Sequence, residues 1–123
     1  MPFRRRGRAA ASPRPSPQPV SAPVSSQAAT LRNLGLAQLE NERPAEAAET
    51  FRKLQELAPA DPLADANLAI ASLRQQKNEE AQSWIAQALA KAPDRADLLA
   101  IQGDVLQWSG KPEEALAAYR RAA

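Results

Sequence analysis

The chain repeats itself with a fixed step of 34 residues, and no other feature of the sequence constrains its fold as strongly. Four classes of position keep this step: Pro59 and Pro93; Ala47, Ala81 and Ala115; Phe51, Ile85 and Tyr119; and Gly35, Ala69 and Gly103. A fixed period of roughly 20–50 residues is the sequence signature of stacked structural repeats. The period predicts three units, which are residues 28–61, 62–95 and 96–123.

Each unit is predicted to hold two α-helices, because its apolar residues recur at helical spacing. The predicted pairs are 28–41 with 44–57, 62–75 with 78–91, and 96–109 with 112 onward. Pro44 and Pro112 stand in the first turn of a second helix, where a missing N–H costs nothing. Asp61 and Asp94 lie just before first helices and suit a capping or dipole-stabilising role. Residues of the glycine and alanine classes let the paired helices lie close together.

These residues resemble the tetratricopeptide repeat, in which helix A carries a Leu-Gly pair, helix B carries small, large and small residues, and a proline closes the unit. The matching residues are Leu31, Leu34-Gly35, Ala47, Phe51, Leu54 and Pro59; Leu68-Ala69, Ala81, Ile85, Ala88 and Pro93; and Leu99, Gly103, Gly110, Ala115, Tyr119 and Ala122. The resemblance covers residues 28–123 and implies an all-α, right-handed α-solenoid of three antiparallel helix pairs. Four positions depart from the pattern: Gln38, Asp65, Ser72 and Gln102. These departures predict weaker packing inside helix A of the second and third repeats.

Residues 1–27 have a different composition and are predicted to form a disordered basic tail rich in proline, serine and alanine. Their five arginines and no acids give +5, whereas 11 basic and 14 acidic residues give 28–123 a charge of −3. Four of the arginines lie within Arg4–Arg8, which could attract nucleic acid or anionic lipid. Without aromatic partners this cluster is a weak signal, and we do not expect nucleic acid to be the main partner.

Cysteine and histidine are both absent from the sequence, which removes disulfides, thiolate or imidazole metal sites and the usual nucleophile pairs. The adjacent carboxylates of Glu79-Glu80 and Glu113-Glu114 point about 100° apart on a helix, so they do not converge on a substrate. We therefore expect no enzyme activity, no metal and no cofactor. We also expect no membrane span and, without a convincing signal peptide, a cytoplasmic location.

The two tryptophans have different predicted roles. Trp84 comes one residue before the core position Ile85, so we expect it to pack against the neighbouring repeat. Trp108 lies near the end of a first helix on the groove side, where binding and packing remain equally open.

The resemblance implies that the first helices line a concave groove, and we predict that this groove binds a peptide or helix of another protein. The predicted groove residues are Arg32, Asn33, Leu36, Leu39, Asn67, Ile70, Leu73, Arg74, Ile101, Asp104 and Trp108. Two alternatives remain open: a spacer or dimerisation arm of a longer protein, and anion or nucleic-acid binding through the arginine-rich tail.

Members of the family that hold chaperone tails grip the peptide carboxylate with a Lys/Arg–Asn–Asn–Lys–Arg set. Only Arg32 and Asn67 match this set, whereas Leu36, Asp97 and Ile101 occupy its other positions. Chaperone-tail binding is therefore not expected. The third repeat stops about a turn earlier than the first two. We therefore expect further repeats or self-association through the C-terminal end.

Overall fold

The computed structural model describes residues 24–123, which form six α-helices joined by short turns. The helices are α1 (Val24–Glu40), α2 (Pro44–Leu57), α3 (Pro62–Arg74), α4 (Asn78–Lys91), α5 (Ala96–Trp108) and α6 (Pro112–Ala122). The described part of the chain contains no strand, in agreement with the predicted all-α class. We call α1, α3 and α5 the A helices, and α2, α4 and α6 the B helices.

The predicted helix boundaries differ from the observed ones mainly at the start of α1. This helix begins at Val24, so the last four residues assigned to the tail are helical instead. The segment from Val24 to Glu40 contains no proline, and the helix can therefore extend back beyond Ala28. Residues 1–23, the rest of the predicted tail, lie outside the described residues.

The three-residue turn inside each repeat has the same backbone geometry, because its second residue adopts a left-handed conformation. These residues are Glu42 with φ 58°, Gln76 with φ 62° and Gly110 with φ 79°. They are 34 residues apart, so the period of the sequence is also the period of the backbone. Proline stands at the start of α2 and α6, as predicted from Pro44 and Pro112.

The two aspartates before A helices behave differently. The backbone N–H of Leu63 donates to Asp61 Oδ1 at 2.9 Å, which confirms the predicted cap of α3. At α5 the cap position belongs to Arg95, and no side chain caps the helix there. Asp94 therefore does not occupy the cap position. Arg95 instead pairs with Asp97, with 2.9 Å between Nε and Oδ1.

The close approach of the A and B helices depends on glycine in two of the repeats. A Cβ atom on Gly35 would lie 2.3 Å from the ring of Phe51, and one on Gly103 would lie 2.4 Å from the ring of Tyr119. The equivalent positions in the second repeat hold Ala69 and Ile85, both buried in one cluster. Glycine therefore accompanies an aromatic ring, and alanine accompanies an aliphatic side chain.

The apolar core consists of two clusters, each spanning the junction of two repeats. The buried residues of the first are Ala28, Leu39, Ala47, Phe51, Leu54, Ala64, Leu68 and Ala71. Those of the second are Ala66, Ala69, Ala81, Ile85, Ala88, Leu98 and Val105. Trp84 packs against both clusters, which confirms its predicted contact with the neighbouring repeat. A core of this kind depends on stacking, because one helix pair cannot bury its own apolar face.

Asp65 is fully buried although its position in the repeat usually takes a large residue, and Lys91 explains why this is tolerated. The Lys91 ammonium donates to Asp65 Oδ2 and also to the backbone carbonyl of Pro59, the latter at 2.6 Å. Asp65 Oδ1 has no hydrogen-bond partner. The equivalent positions in the first repeat hold Leu31 and Leu57, which are partly buried against the first cluster.

Contacts between helices follow the order of the chain, with one addition. Each helix packs against its neighbours in the chain, and α3 also packs directly against α5. The B helices α4 and α6 have no comparable contact with each other. The A helices α3 and α5 therefore lie closer to each other than the B helices α4 and α6 do. Over residues 24–123, no helix has the length and apolar character needed to cross a membrane.

Candidate functional site

Most of the predicted groove residues fall into rows that occupy the same position in successive A helices. One row consists of Asn33, Asn67 and Ile101, and the next of Leu36, Ile70 and Asp104. A third row consists of Leu39, Leu73 and Gln107, and the last of Glu40, Arg74 and Trp108. Because α3 packs directly against α5, the members of each row on these two helices lie on neighbouring elements.

The apolar residues predicted for the groove differ widely in exposure. Ile70 packs partly against the first core cluster, and Leu73 and Ile101 pack partly against the second. Leu36 is 40% exposed and Trp108 is 74% exposed. Leu39 is only 5% exposed and belongs to the first cluster. Its side chain therefore contributes to the core and is not available on the groove surface.

The two predicted cations of the groove lack carboxylate partners. Arg32 is half-buried, and its Nε has no hydrogen-bond acceptor. Arg74 is exposed, and its Nη1 donates to the backbone carbonyl of Leu39 at 3.2 Å. Among the described residues, neither arginine has a carboxylate oxygen within 4.0 Å. Over residues 24–123, both arginines are therefore left without an ion-pair partner. Of the two predicted groove asparagines, Asn33 is exposed and Asn67 is half-buried.

Asp104 was predicted to face the groove, but it contacts α6. The Tyr119 hydroxyl donates to Asp104 Oδ1 and also approaches Gln107 Oε1 at 3.3 Å. This hydrogen bond, with desolvation and the charge of Asp104, raises the pKa of Tyr119 to about 12. Asp104 therefore serves a contact within its own repeat, and the sequence pattern could not show this because Tyr119 lies on another helix.

A cleft of about 640 Å³ lies between the C-terminal ends of α3 and α5, and we call it the rim cleft. Its lining residues are Leu73, Arg74, Gln76, Asn78 and Trp108. Leu73, Arg74 and Trp108 were predicted as groove residues, whereas Gln76 and Asn78 were missed. Asn78 occupies the position that Pro44 and Pro112 hold in the other repeats. This replacement of proline by asparagine could have indicated from the sequence that Asn78 has a different role. Its Nδ2 donates to the backbone carbonyl of Trp108 at 3.3 Å and connects α4 to α5.

The described residues offer no arrangement suited to metal chemistry. Residues 24–123 contain no group of three or more acidic side chains placed to hold a metal ion. Glu79 and Glu80 lie in the first turn of α4, and Glu113 and Glu114 lie in the first turn of α6. Carboxylates at these positions interact favourably with the helix dipole.

A sequence model of the tetratricopeptide repeat matches residues 38–105, which is more than half of the chain. A comparison with curated proteins finds no match. Among solved structures, the chain is similar to the second TPR of Spaghetti (RPAP3) bound to the HSP90 peptide SRMEEVD. The two are 26% identical with a TM-score of 0.71, over 78% of this chain and 89% of that chain.

Two other solved structures show the same architecture. The second TPR domain of human RPAP3, in complex with the HSP70 peptide SGPTIEEVD, is 25% identical with a TM-score of 0.72, over 81% of this chain and 83% of that chain. The globular C-terminal domain of P. aeruginosa LpoP is 21% identical with a TM-score of 0.72, over 77% of this chain and 93% of that chain. The likeness to LpoP shows the fold alone.

Proposed function

The chain belongs to the tetratricopeptide repeat family, and on this premise we propose that it is a non-catalytic module that holds a segment of another protein. The segment lies along the concave surface as an extended or helical peptide. In the proposed groove, Leu36, Ile70, Leu73 and Ile101 form an apolar strip flanked by Arg32 and Arg74. The observation that supports this proposal best is that neither arginine has a carboxylate partner among residues 24–123.

The similar RPAP3 domains support a peptide partner, since each was solved with a chaperone peptide. This chain keeps Arg32 and Asn67 at two of the positions that grip such peptides in the family. Leu36, Asp97 and Ile101 replace the other three polar contacts with two aliphatic residues and a carboxylate. The partner is therefore a different segment, one that presents apolar side chains to the strip and at least one acid to the cations.

Panning of a phage-displayed library of random dodecapeptides against the full chain tests this proposal. We expect enrichment of peptides that combine apolar residues with acids. Synthetic versions of these peptides should lose affinity for the Arg32→Glu/Arg74→Glu variant, because charge reversal places carboxylates opposite the acids of the peptide. Circular dichroism should show that this variant keeps the helical content of the natural chain.

The control variant reverses two exposed arginines that lie on B helices, Arg52 and Arg120. It changes the net charge by the same amount and should bind normally. The peptide SRMEEVD should bind no better than a scrambled version of itself. A library without enrichment, or equal affinities for the groove variant and the control variant, would contradict binding in the groove.

A further inference from the structure

The three A helices end at equivalent residues that differ completely in chemistry. These residues are Glu40 at the end of α1, Arg74 at the end of α3 and Trp108 at the end of α5. All three are exposed, and they form a row along one rim of the groove. Because the turns that follow these residues share one backbone geometry, the three residues occupy equivalent places and differ in their side chains.

The rim cleft lies between the last two members of this row, and a hydrogen bond connects each of them to a neighbouring helix. Arg74 is held by the Leu39 carbonyl on one side, and Trp108 is held through its own carbonyl by Asn78 on the other. The volume of about 640 Å³ falls within the range of small-molecule pockets, about 300–1,000 Å³. It can therefore accept one or two side chains of a bound segment.

Trp108 gives the cleft its apolar character. Its side chain is 74% exposed, which is more than any other large apolar residue described. Leu73 lines the same cleft and packs against the second core cluster from the other side. An exposed indole beside a fixed aliphatic residue is a favourable surface for a large apolar side chain, and tryptophan is enriched among residues that dominate binding energy.

Arg74 gives the cleft its charge. It is the only ionisable residue of the lining, and its guanidinium uses one N–H group on the Leu39 carbonyl. Glu40 and Glu42 line the gap on the opposite side of Arg74, between α1 and α3. A carboxylate of a ligand is repelled there, so it approaches Arg74 from the side of Trp108. The charges of the rim thus define on which side of Arg74 the carboxylate of the ligand lies.

We propose that the rim cleft binds a partner segment in which a large apolar side chain lies next to an aspartate or glutamate. The apolar side chain packs on Trp108 and Leu73, and the carboxylate pairs with Arg74. None of the five lining residues occupies a position of the chaperone-tail set of the family. This inference rests on the proposed function, since it assumes that a protein segment occupies the concave surface.

The test uses the enriched dodecapeptides and the full chain with Trp84→Phe, so that Trp108 is the only tryptophan left. Binding should shift the emission of Trp108 to shorter wavelength, because the indole leaves water. Trp108→Ala and Arg74→Gln, made in the natural chain and assayed by calorimetry, should each weaken binding about tenfold. Replacing the acid of the peptide by its amide should weaken binding to the natural chain but not to Arg74→Gln.

Matched controls are Leu116→Ala for the exposed apolar residue and Arg52→Gln for the exposed cation, both away from the cleft. Neither should change affinity. One outcome would overturn the rim-cleft proposal and leave groove binding intact. In this outcome the peptides bind, but they do not shift Trp108 emission, and neither Trp108→Ala nor Arg74→Gln weakens binding. A chain that enriches no peptide overturns both proposals.

Discussion

At the scale of single residues, the spacing between the A and B helices is set by two positions together. Gly35 lies under the ring of Phe51 and Gly103 under the ring of Tyr119, and neither glycine has room for a Cβ atom. In the second repeat the smaller Ile85 leaves room for a methyl group on the A helix. The three repeats therefore keep the combined volume of the two side chains, although the individual residues differ.

The first prediction tests this exchange of volume. Gly35→Ala should destabilise the protein by about 1–3 kcal/mol, because overpacking outweighs the gain of up to about 1 kcal/mol in helix propensity. Phe51→Ile, which copies the second repeat, should recover part of this loss in the double variant, with a coupling of about 0.5–3 kcal/mol. Urea unfolding of the four proteins of this cycle measures the coupling. Strictly additive effects would mean that the two positions do not share one space.

The second prediction concerns the buried pair of Asp65 and Lys91. Lys91→Ala should cost about 2–4 kcal/mol, because it leaves a buried carboxylate without a counter-charge. The value lies toward the lower end of the range for buried pairs, since the Lys91 side chain is 28% exposed. Asp65→Leu/Lys91→Leu, which copies Leu31 and Leu57, should be neutral or more stable by up to about 4 kcal/mol. Thermal unfolding distinguishes the two variants, and a double variant as unstable as the single one would contradict this account.

The third prediction uses Tyr119, the only tyrosine of the sequence. The absorbance of tyrosinate should appear with a midpoint near pH 12, and Asp104→Asn should move the midpoint toward 10.0, the ordinary pKa of tyrosine. Because the folded pKa lies above the unfolded one, the hydrogen bond stabilises the protein fully below about pH 10. This stabilisation is lost as the pH rises through 12. A natural chain that titrates like free tyrosine would show that the bond does not form in solution.

At the scale of helices, equivalent faces have different surroundings in different repeats. Leu68 of α3 packs against α2 and is 1% exposed, whereas its equivalent in α1, Leu34, is 47% exposed. In the sequence pattern, Leu34 and Leu68 are equivalent apolar positions of the A helix. Only the position of α1 at the edge of the described stack explains why Leu34 faces solvent.

The fourth prediction follows from this difference. Leu34→Gln should change the free energy of unfolding by no more than about 0.5 kcal/mol, as is usual for surface positions. Leu68→Gln should cost at least about 2 kcal/mol, since it removes buried apolar contacts and introduces a polar group. Denaturant unfolding of both variants provides the measurement. Equal losses would indicate that the outer face of α1 is covered in solution.

The sequence predicted the helices well because the 34-residue period fixes the turns, and Glu42, Gln76 and Gly110 keep one backbone geometry. It predicted the groove less well, since exposure depends on neighbouring helices. Leu39 is buried and Asp104 bonds to Tyr119, and neither fact follows from spacing along one helix. The contact of Asp65 with Lys91 joins two ends of a helix pair, which a pattern within one helix cannot reveal.

At the scale of the whole molecule, the C-terminal end of the stack combines apolar and polar character. Leu116 is 48% exposed on α6, while Asp104 and Gln107 replace the aliphatic Ile70 and Leu73 of the second repeat. Self-association through this end stays a prediction, and Leu116 is its main apolar contributor. Sedimentation over increasing protein concentration should show association that Leu116→Glu reduces. Association that is unchanged in this variant would place the contact elsewhere.

The packing of each helix against its neighbours in the chain also determines how the protein folds. Contacts between residues close in sequence require little loop closure, and chains of this kind fold in microseconds to milliseconds. Folding can begin at any helix pair and then proceed outward to either side. The helix pair of α3 and α4 lies between the other two pairs, and Lys91 also ties it to the turn at Pro59. This pair has neighbours on both sides, so the outer helices should unfold first when the protein opens locally.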